Sequence, residues 1–207
     1  MTNAGALLEL RGVNKSFGPV DVLKNVDLTV HAGQVTALVG DNGAGKSTLI
    51  KGIAGIYPFD SGEYRFEGAA VNVTEPKQAN ALGIEVVYQD LALCDNLDVV
   101  HNMFLGREEK SGIILDEPTA ALGVAQTAQV LNLVRRLADS GLGVILISHN
   151  MNDVMQVADN IACLYLGRMA AQVSAADMSH GQIVELITSG RTGEIGLQHE
   201  SASGAVA

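Results

Sequence analysis

Apolar residues recur along this chain in two spacings, one typical of β-strands and the other typical of α-helices. Period-two alternation at residues 7–10 and 26–30 predicts two half-buried strands near the start of the chain. Short, mainly apolar runs follow, and each predicts a strand buried on both faces, as in a parallel sheet covered by helices. These runs lie at residues 35–39, 84–88, 113–115, 144–147 and 160–165.

The stretches between these runs carry helical spacing or helix-start signals. Helical spacing is clearest at residues 125–139. There, Val130, Leu131, Val134 and Leu137 fall on one face. Other helices are predicted at 46–54, from Glu75-Pro76 onward, at 152–158 and at 182–188, with a hairpin near Gly68. The alternation predicts an α/β fold, with a mainly parallel sheet flanked by helices and a small antiparallel β layer on its N-terminal side.

The chain has 207 residues, a length that suits one domain. We place that domain at residues 1–190. Beyond it, Gly, Ser, Ala and polar residues follow one another without periodicity. This composition predicts a disordered tail over residues 191–207.

Composition and charge narrow the possible functions. The formal net charge is −10, so a basic surface for general DNA or RNA binding is not expected. Cys94 and Cys163 give neither a disulfide framework nor a zinc motif, and Cys163 lies in an apolar run that predicts a buried, inert thiol. The N-terminus lacks the basic start of a secretory signal, and no apolar run reaches the length of a membrane span. We therefore expect a cytosolic protein that works at a membrane only by docking to another chain.

Residues 40–48, with the sequence GDNGAGKST, match the phosphate-binding pattern G-x-x-x-x-G-K-[ST]. Glycines let successive backbone N–H groups point at phosphate oxygens, and the N-terminus of the following helix adds its partial positive charge. A Gly-rich turn can also serve only to join a strand to a helix, but the Lys-Ser pair at its end favours a P-loop and ATP. The expected ATP-binding residues are Gly40, Asn42, Gly43, Gly45, Lys46, Ser47 and Thr48.

The same loop and a later strand end predict a site for Mg²⁺ and for hydrolysis. Lys46 would place its charge on the β- and γ-phosphates, and the Ser47 hydroxyl would ligate Mg²⁺. The buried strand at 113–115 ends in two carboxylates. Asp116 would hold Mg²⁺ directly or through a water molecule bound to the ion. Glu117 would act as general base toward the attacking water. Carboxylates also occur at ordinary solvated strand ends, and it is the P-loop upstream that favours the catalytic interpretation.

With these two elements in place, the chain resembles the ATPases of the ABC transporter family from about Leu7 to Thr188. The resemblance implies that Phe17 stacks on adenine, although a Phe at a strand end is also typical of a core. It further implies that Gln89 contacts Mg²⁺ and the attacking water, and that His149 contacts the γ-phosphate. The expected activity is ATP hydrolysis, with ATP and Mg²⁺ bound together.

Three segments resemble more narrowly the ATPases of simple-sugar importers of the ribose, xylose and fructose type. They are GDNG at 40–43, YQDLAL at 88–93 and NMFLGRE at 102–108. A single P-loop implies the single-cassette version, which pairs with a second copy. The resemblance further implies membrane-spanning permease subunits, a solute-binding protein as an indirect partner, no nucleic acid, and a peripheral place on the cytoplasmic face of the cell membrane.

The chain departs from the family where the signature motif, Leu-Ser-Gly-Gly-Gln, should stand. The helical subdomain that carries this motif is largely absent, and we place the deletion near residues 107–112. A natural deletion, an engineered one or a shortened sequence would each give this pattern. A smaller departure is Gly123, where the wider family usually has the Asp of a Ser-Ala-Leu-Asp loop.

The missing signature motif leaves alternatives open. In the family, that motif closes the opposite wall of the ATP site within a dimer, so its loss favours a truncated nucleotide-binding protein or regulator without appreciable hydrolysis or transport. The acidic charge opposes a soluble ABC protein that acts on DNA or ribosomes. A P-loop kinase would need an acceptor site, for which the sequence has no motif.

Overall fold

The computed structural model describes residues 5–87, 111–120 and 122–197, which form two main β-sheets, a small two-stranded sheet and five α-helices. The predicted α/β fold is confirmed. Within the described residues, no helix is long and apolar enough to cross a membrane.

The antiparallel sheet lies at the N-terminal side, as predicted. Its strands are β1 (Ala6–Phe17), β2 (Val20–His31), β4 (Ser61–Phe66) and β5 (Ala69–Ala70). Their order is β2-β1-β4-β5. The β1 and β2 strands form one long hairpin that turns at Gly18, whose φ of 58° suits a residue without a side chain.

The second sheet is mainly parallel and has six strands in the order β10-β9-β3-β8-β7-β6. Five of them match the predicted buried runs, and the sixth, β10, pairs antiparallel with β9 at one edge. The strands are β3 (Val35–Val39), β6 (Ile84–Val87), β7 (Gly112–Asp116), β8 (Gly143–Ile147), β9 (Asn160–Tyr165) and β10 (Arg168–Ser174).

The helices begin and end close to the predicted positions. They are α1 (Lys46–Ile53), α2 (Pro76–Ala81), α3 (Val124–Asp139), α4 (Met151–Val157) and α5 (His180–Ser189). A short 3₁₀-helix spans Ala175–Asp177. Side-chain oxygens cap two of them, since Asn150 accepts the N–H of Asn152 at α4 and Ser179 accepts the N–H of Gln182 at α5.

The two faces of the parallel sheet pack against different layers. On one face, Leu38, Ile114 and Ile145 join a core with the antiparallel sheet and α1. On the other face, the α3 residues Leu131 and Val134 cover strands β3, β7 and β8, and α4 and α5 cover β3 and β9. All five residues of β3 and of β8 are buried, so the central strands are fixed in place by apolar packing from both sides.

The prediction that the tail is disordered from residue 191 is wrong for residues 191–197. After the α5 helix ends at Gly190, which has a φ of 76°, strands β11 (Arg191–Thr192) and β12 (Ile195–Gly196) form a small hairpin. Ile195 and Leu197 pack against the core beneath α5, and Thr192 is buried. These contacts join residues distant in sequence, so no local periodicity announces them.

Several predictions fall outside the described residues. Gln89 and Cys94, the segments at 88–93 and 102–108, most of the deletion region and residues 198–207 belong to this group. Twenty-three residues, 88–110, join β6 to the residue before β7. Cys163 is fully buried and free, as predicted.

Candidate functional site

A cleft of about 300 Å³ opens where three parallel strands end side by side. Strands β3, β8 and β7 are neighbours in the sheet, so the loops after their carboxyl ends meet at one edge. The residues that line the cleft are Val22, Asn42, Gly43, Gly45, Lys46, Ser47, Thr48, Asp116, Glu117, Ile147 and His149. The structure therefore brings together most of the residues that the sequence predicted for ATP binding and catalysis.

The loop between β3 and α1 is shaped by its glycines. Gly40, Gly43 and Gly45 have φ values of 152°, 79° and 106°, which residues with side chains rarely adopt. A Cβ on Gly40 would clash with the carbonyl oxygen of Leu164, so the loop lies directly against the end of β9. A Cβ on Gly43 would meet no atom within 4 Å, which shows that this side of the loop is open.

Lys46 is the first residue of α1 and is 8% exposed. Its Nζ donates hydrogen bonds to the carbonyl oxygens of Gly40 at 2.7 Å and Asp41 at 3.1 Å. Burial lowers the pKa of Lys46, and the nearby carboxylates of Glu117, Asp41 and Asp116 partly oppose this shift. A buried cation over a loop of backbone N–H groups is suited to an anionic ligand.

Two carboxylates face this cation from the end of β7. Burial raises the pKa of Asp116 and of Glu117, and the neighbouring Lys46 and His149 oppose the shift in both. Glu117 also has a φ of 51°, a conformation that costs a residue with a side chain about 1–2 kcal/mol, while its backbone N–H donates to the carbonyl of Ile147 at 3.0 Å. The backbone thus holds Glu117 in an unfavourable conformation at the wall of the cleft.

His149 follows β8 and contacts the same carboxylate. Its Nε2 lies 3.2 Å from Oε1 of Glu117, and its backbone N–H donates to Oε2 at 3.4 Å. The first contact is within ion-pair distance but lacks hydrogen-bond geometry, so no group of the described residues donates a hydrogen bond to the buried Oε1. A buried acceptor without a donor beside an open cleft is suited to a water molecule.

A further residue that the sequence did not single out joins the loops after β7 and β8. Asp153 is 5% exposed and lies in the first turn of α4. Its Oδ2 accepts the hydroxyl of Thr119 at 2.8 Å, and its Oδ1 accepts the side-chain amide of Asn150 at 3.1 Å. In the sequence, this link is indicated by the acidic residue Asp153, three positions after Asn150 at the start of a helix.

Phe17 does not line the cleft. It stands at the tip of the β1–β2 hairpin, 43% exposed, and its ring centroid is 5.1 Å from that of Tyr57 with the planes at 78°. Val22, on the other strand of this hairpin, lines the cleft and was not predicted to do so.

The residues present fit a magnesium ion bound together with a nucleotide. Ser47 presents an exposed hydroxyl and Asp116 a carboxylate in the same cleft, and both are oxygen ligands of the kind that Mg²⁺ prefers. Among the described residues, no three His, Cys, Asp or Glu side chains gather into a metal cluster. A cation here would therefore take its remaining ligands from phosphate oxygens and water, as Mg²⁺ commonly does.

Comparison with known proteins places most of this chain in one family. A sequence model described as ABC transporter matches residues 23–187. The xylose/arabinose import ATP-binding protein XylG of Sulfolobus acidocaldarius is 36% identical over an alignment that covers 92% of this chain and 97% of that protein. The ribose import ATP-binding protein RbsA of Yersinia pestis is 33% identical over 89% of this chain and 47% of that protein. The chain thus spans nearly the whole of the first relative and about half of the second.

The alignment with the Sulfolobus protein also shows a difference in length. It extends over 244 positions but includes 92% of this chain, which is about 190 of 207 residues. About fifty aligned positions therefore have no counterpart here. This agrees with the prediction of a largely absent helical subdomain.

Solved structures support the fold. A nucleotide-free ATP-binding cassette from an ABC transporter superposes with a TM-score of 0.70 at 20% identity, covering 82% of this chain and 92% of that chain. A cassette in its ADP conformation gives a TM-score of 0.71 at 20% identity, covering 89% of this chain and 96% of that chain. Because the family model covers most of the sequence and the curated relatives exceed 30% identity, the chain belongs to the ABC transporter family and has the fold of its ATP-binding cassettes.

Proposed function

We propose that this chain is the ATP-binding and ATP-hydrolysing subunit of an importer of simple sugars. The observation that carries the proposal is the single cleft in which the P-loop cation of Lys46 faces Asp116, Glu117 and His149. The names of the xylose/arabinose and ribose import relatives support the choice of sugar import among ABC functions.

The phosphates of ATP would occupy the cleft beside residues 40–48. The backbone N–H groups of the loop and the N-terminus of α1 supply donors and positive potential, and the ammonium of Lys46 would bind the β- and γ-phosphates. Asn42, Gly43 and Thr48 line the same space. Phe17, at the hairpin beside the cleft, would stack on adenine.

Hydrolysis would proceed from a water held at Glu117. The carboxylate accepts a proton from the water as the water oxygen bonds to the γ-phosphorus, the bond from the γ-phosphorus to the β,γ-bridging oxygen breaks, and ADP and phosphate leave. The raised pKa of Glu117 makes it a stronger base than an ordinary carboxylate. His149 keeps the carboxylate in place and would contact the γ-phosphate.

Ser47 and Asp116 would hold Mg²⁺, and Gln89 would complete this set from outside the described residues. When bound, the ion neutralises phosphate charge that develops during transfer. Three groups of this chain would thus hold the ion, and Glu117 would remain free to take the proton.

The proposal includes partners. A second ATPase subunit, membrane-spanning permease subunits and, indirectly, a solute-binding protein would complete the importer, and the chain would lie on the cytoplasmic face of the membrane. The shortened helical region supports the alternative function, a nucleotide-binding protein or regulator without appreciable hydrolysis.

The test combines binding and turnover on the same samples. ATP affinity and the rate of hydrolysis per subunit are measured against protein concentration for the wild type, for Lys46→Ala and for Lys77→Ala. Lys77 is exposed on α2 and serves as a control for loss of one positive charge. The expected result is binding and concentration-dependent turnover in the wild type and in Lys77→Ala, with both lost or strongly reduced in Lys46→Ala.

Each other outcome has a definite meaning. Binding without turnover at any concentration would reject the hydrolase in favour of the nucleotide-binding regulator. Unchanged ATP affinity in Lys46→Ala would reject the P-loop as the binding site. Sugar import is tested by uptake of labelled ribose in a bacterial strain that lacks its own ribose import ATP-binding protein and carries this chain instead.

A further inference from the structure

We propose that Asp60 and Lys15 are positioning residues that hold the ring of Phe17 in place for the adenine base of ATP. The proposal rests on the function proposed above, because it concerns the base end of the same nucleotide. It adds a connection that neither the phosphate loop nor the acidic strand end contains. The segment after α1, residues 57–61, would link the helix that binds the phosphates to the hairpin that binds the base.

Hydrogen bonds tie this segment to the end of β1. Nζ of Lys15 donates to Oδ1 of Asp60 at 2.7 Å and to the carbonyl oxygen of Pro58 at 2.8 Å. The backbone N–H of Ser16 donates to Oδ2 of Asp60 at 2.7 Å. In return, the backbone N–H of Asp60 donates to the carbonyl of Asn14 at 2.9 Å. Both oxygens of Asp60 are thus used to fix the two residues that precede Phe17.

The ring of Phe17 is itself held by two contacts from these elements. Tyr57 packs against it edge to face at 5.1 Å between centroids, and Nζ of Lys15 lies 5.5 Å from its centroid. The ring nevertheless remains 43% exposed. An aromatic ring that is fixed in orientation but open to solvent loses little entropy when a base stacks on it.

The exposed fractions of the two side chains distinguish a role in positioning Phe17 from a role in stability alone. The side chains of Lys15 and Asp60 are 12% and 45% exposed, and an ion pair with one partner this exposed contributes little to stability. Its removal should change the melting temperature little. The mobility of the Phe17 ring should increase. Asp60 holds both the Lys15 cation that lies over the ring and the backbone that precedes it.

The experiment compares two ligands that differ in the base. Dissociation constants for ATP and for inorganic tripolyphosphate, both with Mg²⁺, are measured by calorimetry for wild type, Asp60→Ala, Phe17→Ala and the double variant. Asp27→Ala is the matched control, because Asp27 also accepts a backbone N–H at 2.7 Å, from Gly12, in the same hairpin. Should Asp60→Ala fail to fold, Asp60→Asn takes its place.

We expect Asp60→Ala to raise the dissociation constant for ATP by about two- to twelve-fold, the usual cost of ordering one side chain. Phe17→Ala should raise it by roughly 5- to 150-fold, since stacking on a base is worth about 1–3 kcal/mol. Neither change should alter the affinity for tripolyphosphate. In the double variant, Asp60→Ala should have no further effect, because the two residues act through one contact.

Three results obtained with the variants would overturn the proposal. They are equal loss of affinity for ATP and tripolyphosphate in Asp60→Ala, an effect of Asp27→Ala as large as that of Asp60→Ala, and an undiminished effect of Asp60→Ala in the absence of Phe17. A wild type that binds tripolyphosphate but gains nothing from adenine would also overturn it, while leaving the phosphate site intact. A wild type that binds neither ligand would overturn the proposed function as well.

Discussion

Nε2 of His149 lies 3.2 Å from Oε1 of Glu117, while the backbone N–H of the same histidine reaches Oε2 at 3.4 Å. One residue therefore contacts both oxygens of the carboxylate from the neighbouring strand end. His149 holds the side chain of Glu117. The backbone of Glu117 has an unfavourable conformation there, with a φ of 51°. A carboxylate held in this way already faces the cleft before a ligand binds.

Replacing Glu117 with Gln should separate binding from hydrolysis. The amide keeps the shape of the side chain but cannot accept the proton, so we expect ATP affinity within about three-fold of wild type and turnover reduced by about 10²-fold or more. Glu67→Gln is the matched control, because Glu67 is exposed in the β4–β5 turn with a φ of 48°. Hydrolysis that survives in Glu117→Gln would show that another group is the base.

The pH dependence of hydrolysis follows from the same carboxylate. Burial raises the pKa of Glu117 above its usual 4.5, and a general base works only when deprotonated. The value of kcat/KM should therefore fall as pH is lowered, with its midpoint above 4.5, because kcat/KM reports groups of the free protein. A midpoint at or below 4.5 would contradict the assignment.

The phosphate loop allows a comparison of two glycines with the same φ angle. Gly43 and Gly68 both have a φ of 79°, and an added Cβ would meet no atom within 4 Å at either position. Gly43→Ala and Gly68→Ala should each cost about 1–2 kcal/mol of stability, a fall in melting temperature of roughly 2–8 °C. Only Gly43→Ala should also weaken ATP binding, because only its Cβ enters the cleft. Equal affinity in the two variants would place the phosphates elsewhere.

Asp153 should matter for stability although it does not line the cleft. Asp153→Ala leaves the hydroxyl of Thr119 and the amide of Asn150 without their partner, which should cost about 1–3 kcal/mol and lower the melting temperature by roughly 2–10 °C. Asp177→Ala, at an exposed acidic residue of the 3₁₀-helix, is the control. A melting temperature equal to that of the control would mean that solvent satisfies both groups.

The parts of the fold that the sequence predicted are those with strong local signals. The buried runs gave five parallel strands, and the loop at 40–48 gave both its own conformation and the start of α1. The strand before His149 lies next to the P-loop strand, because β8 pairs with β3. Each of these features is encoded within a few consecutive residues, so tertiary contacts had little to override.

The parts that were missed depend on contacts between distant residues. The extent of β1 and β2 was underestimated, because irregularities in their pairing, such as the shift between Leu10 and Val13, interrupt the alternation of buried residues. Strand β10 has a single buried residue, Ala170, and lies at the sheet edge, where pattern is weak. Val22 reaches the cleft only through tertiary packing, so its sequence neighbourhood carries no phosphate or catalytic motif.

The hairpin formed by residues 191–197 gives the last prediction. A chain that ends at Gly190 loses the packing of Ile195 and Leu197 against the core beneath α5 and leaves the space of Thr192 empty. Partial burial of two such side chains contributes about 1–3 kcal/mol, so the melting temperature should fall by roughly 2–10 °C relative to a chain that ends at residue 197. A chain that ends at residue 197 is the necessary reference, since it removes only residues outside the described structure. Equal melting temperatures would show that residues 191–197 add no stability, as expected of the disordered tail that their composition predicted. A lower value for the shorter chain would show that the hairpin belongs to the folded domain.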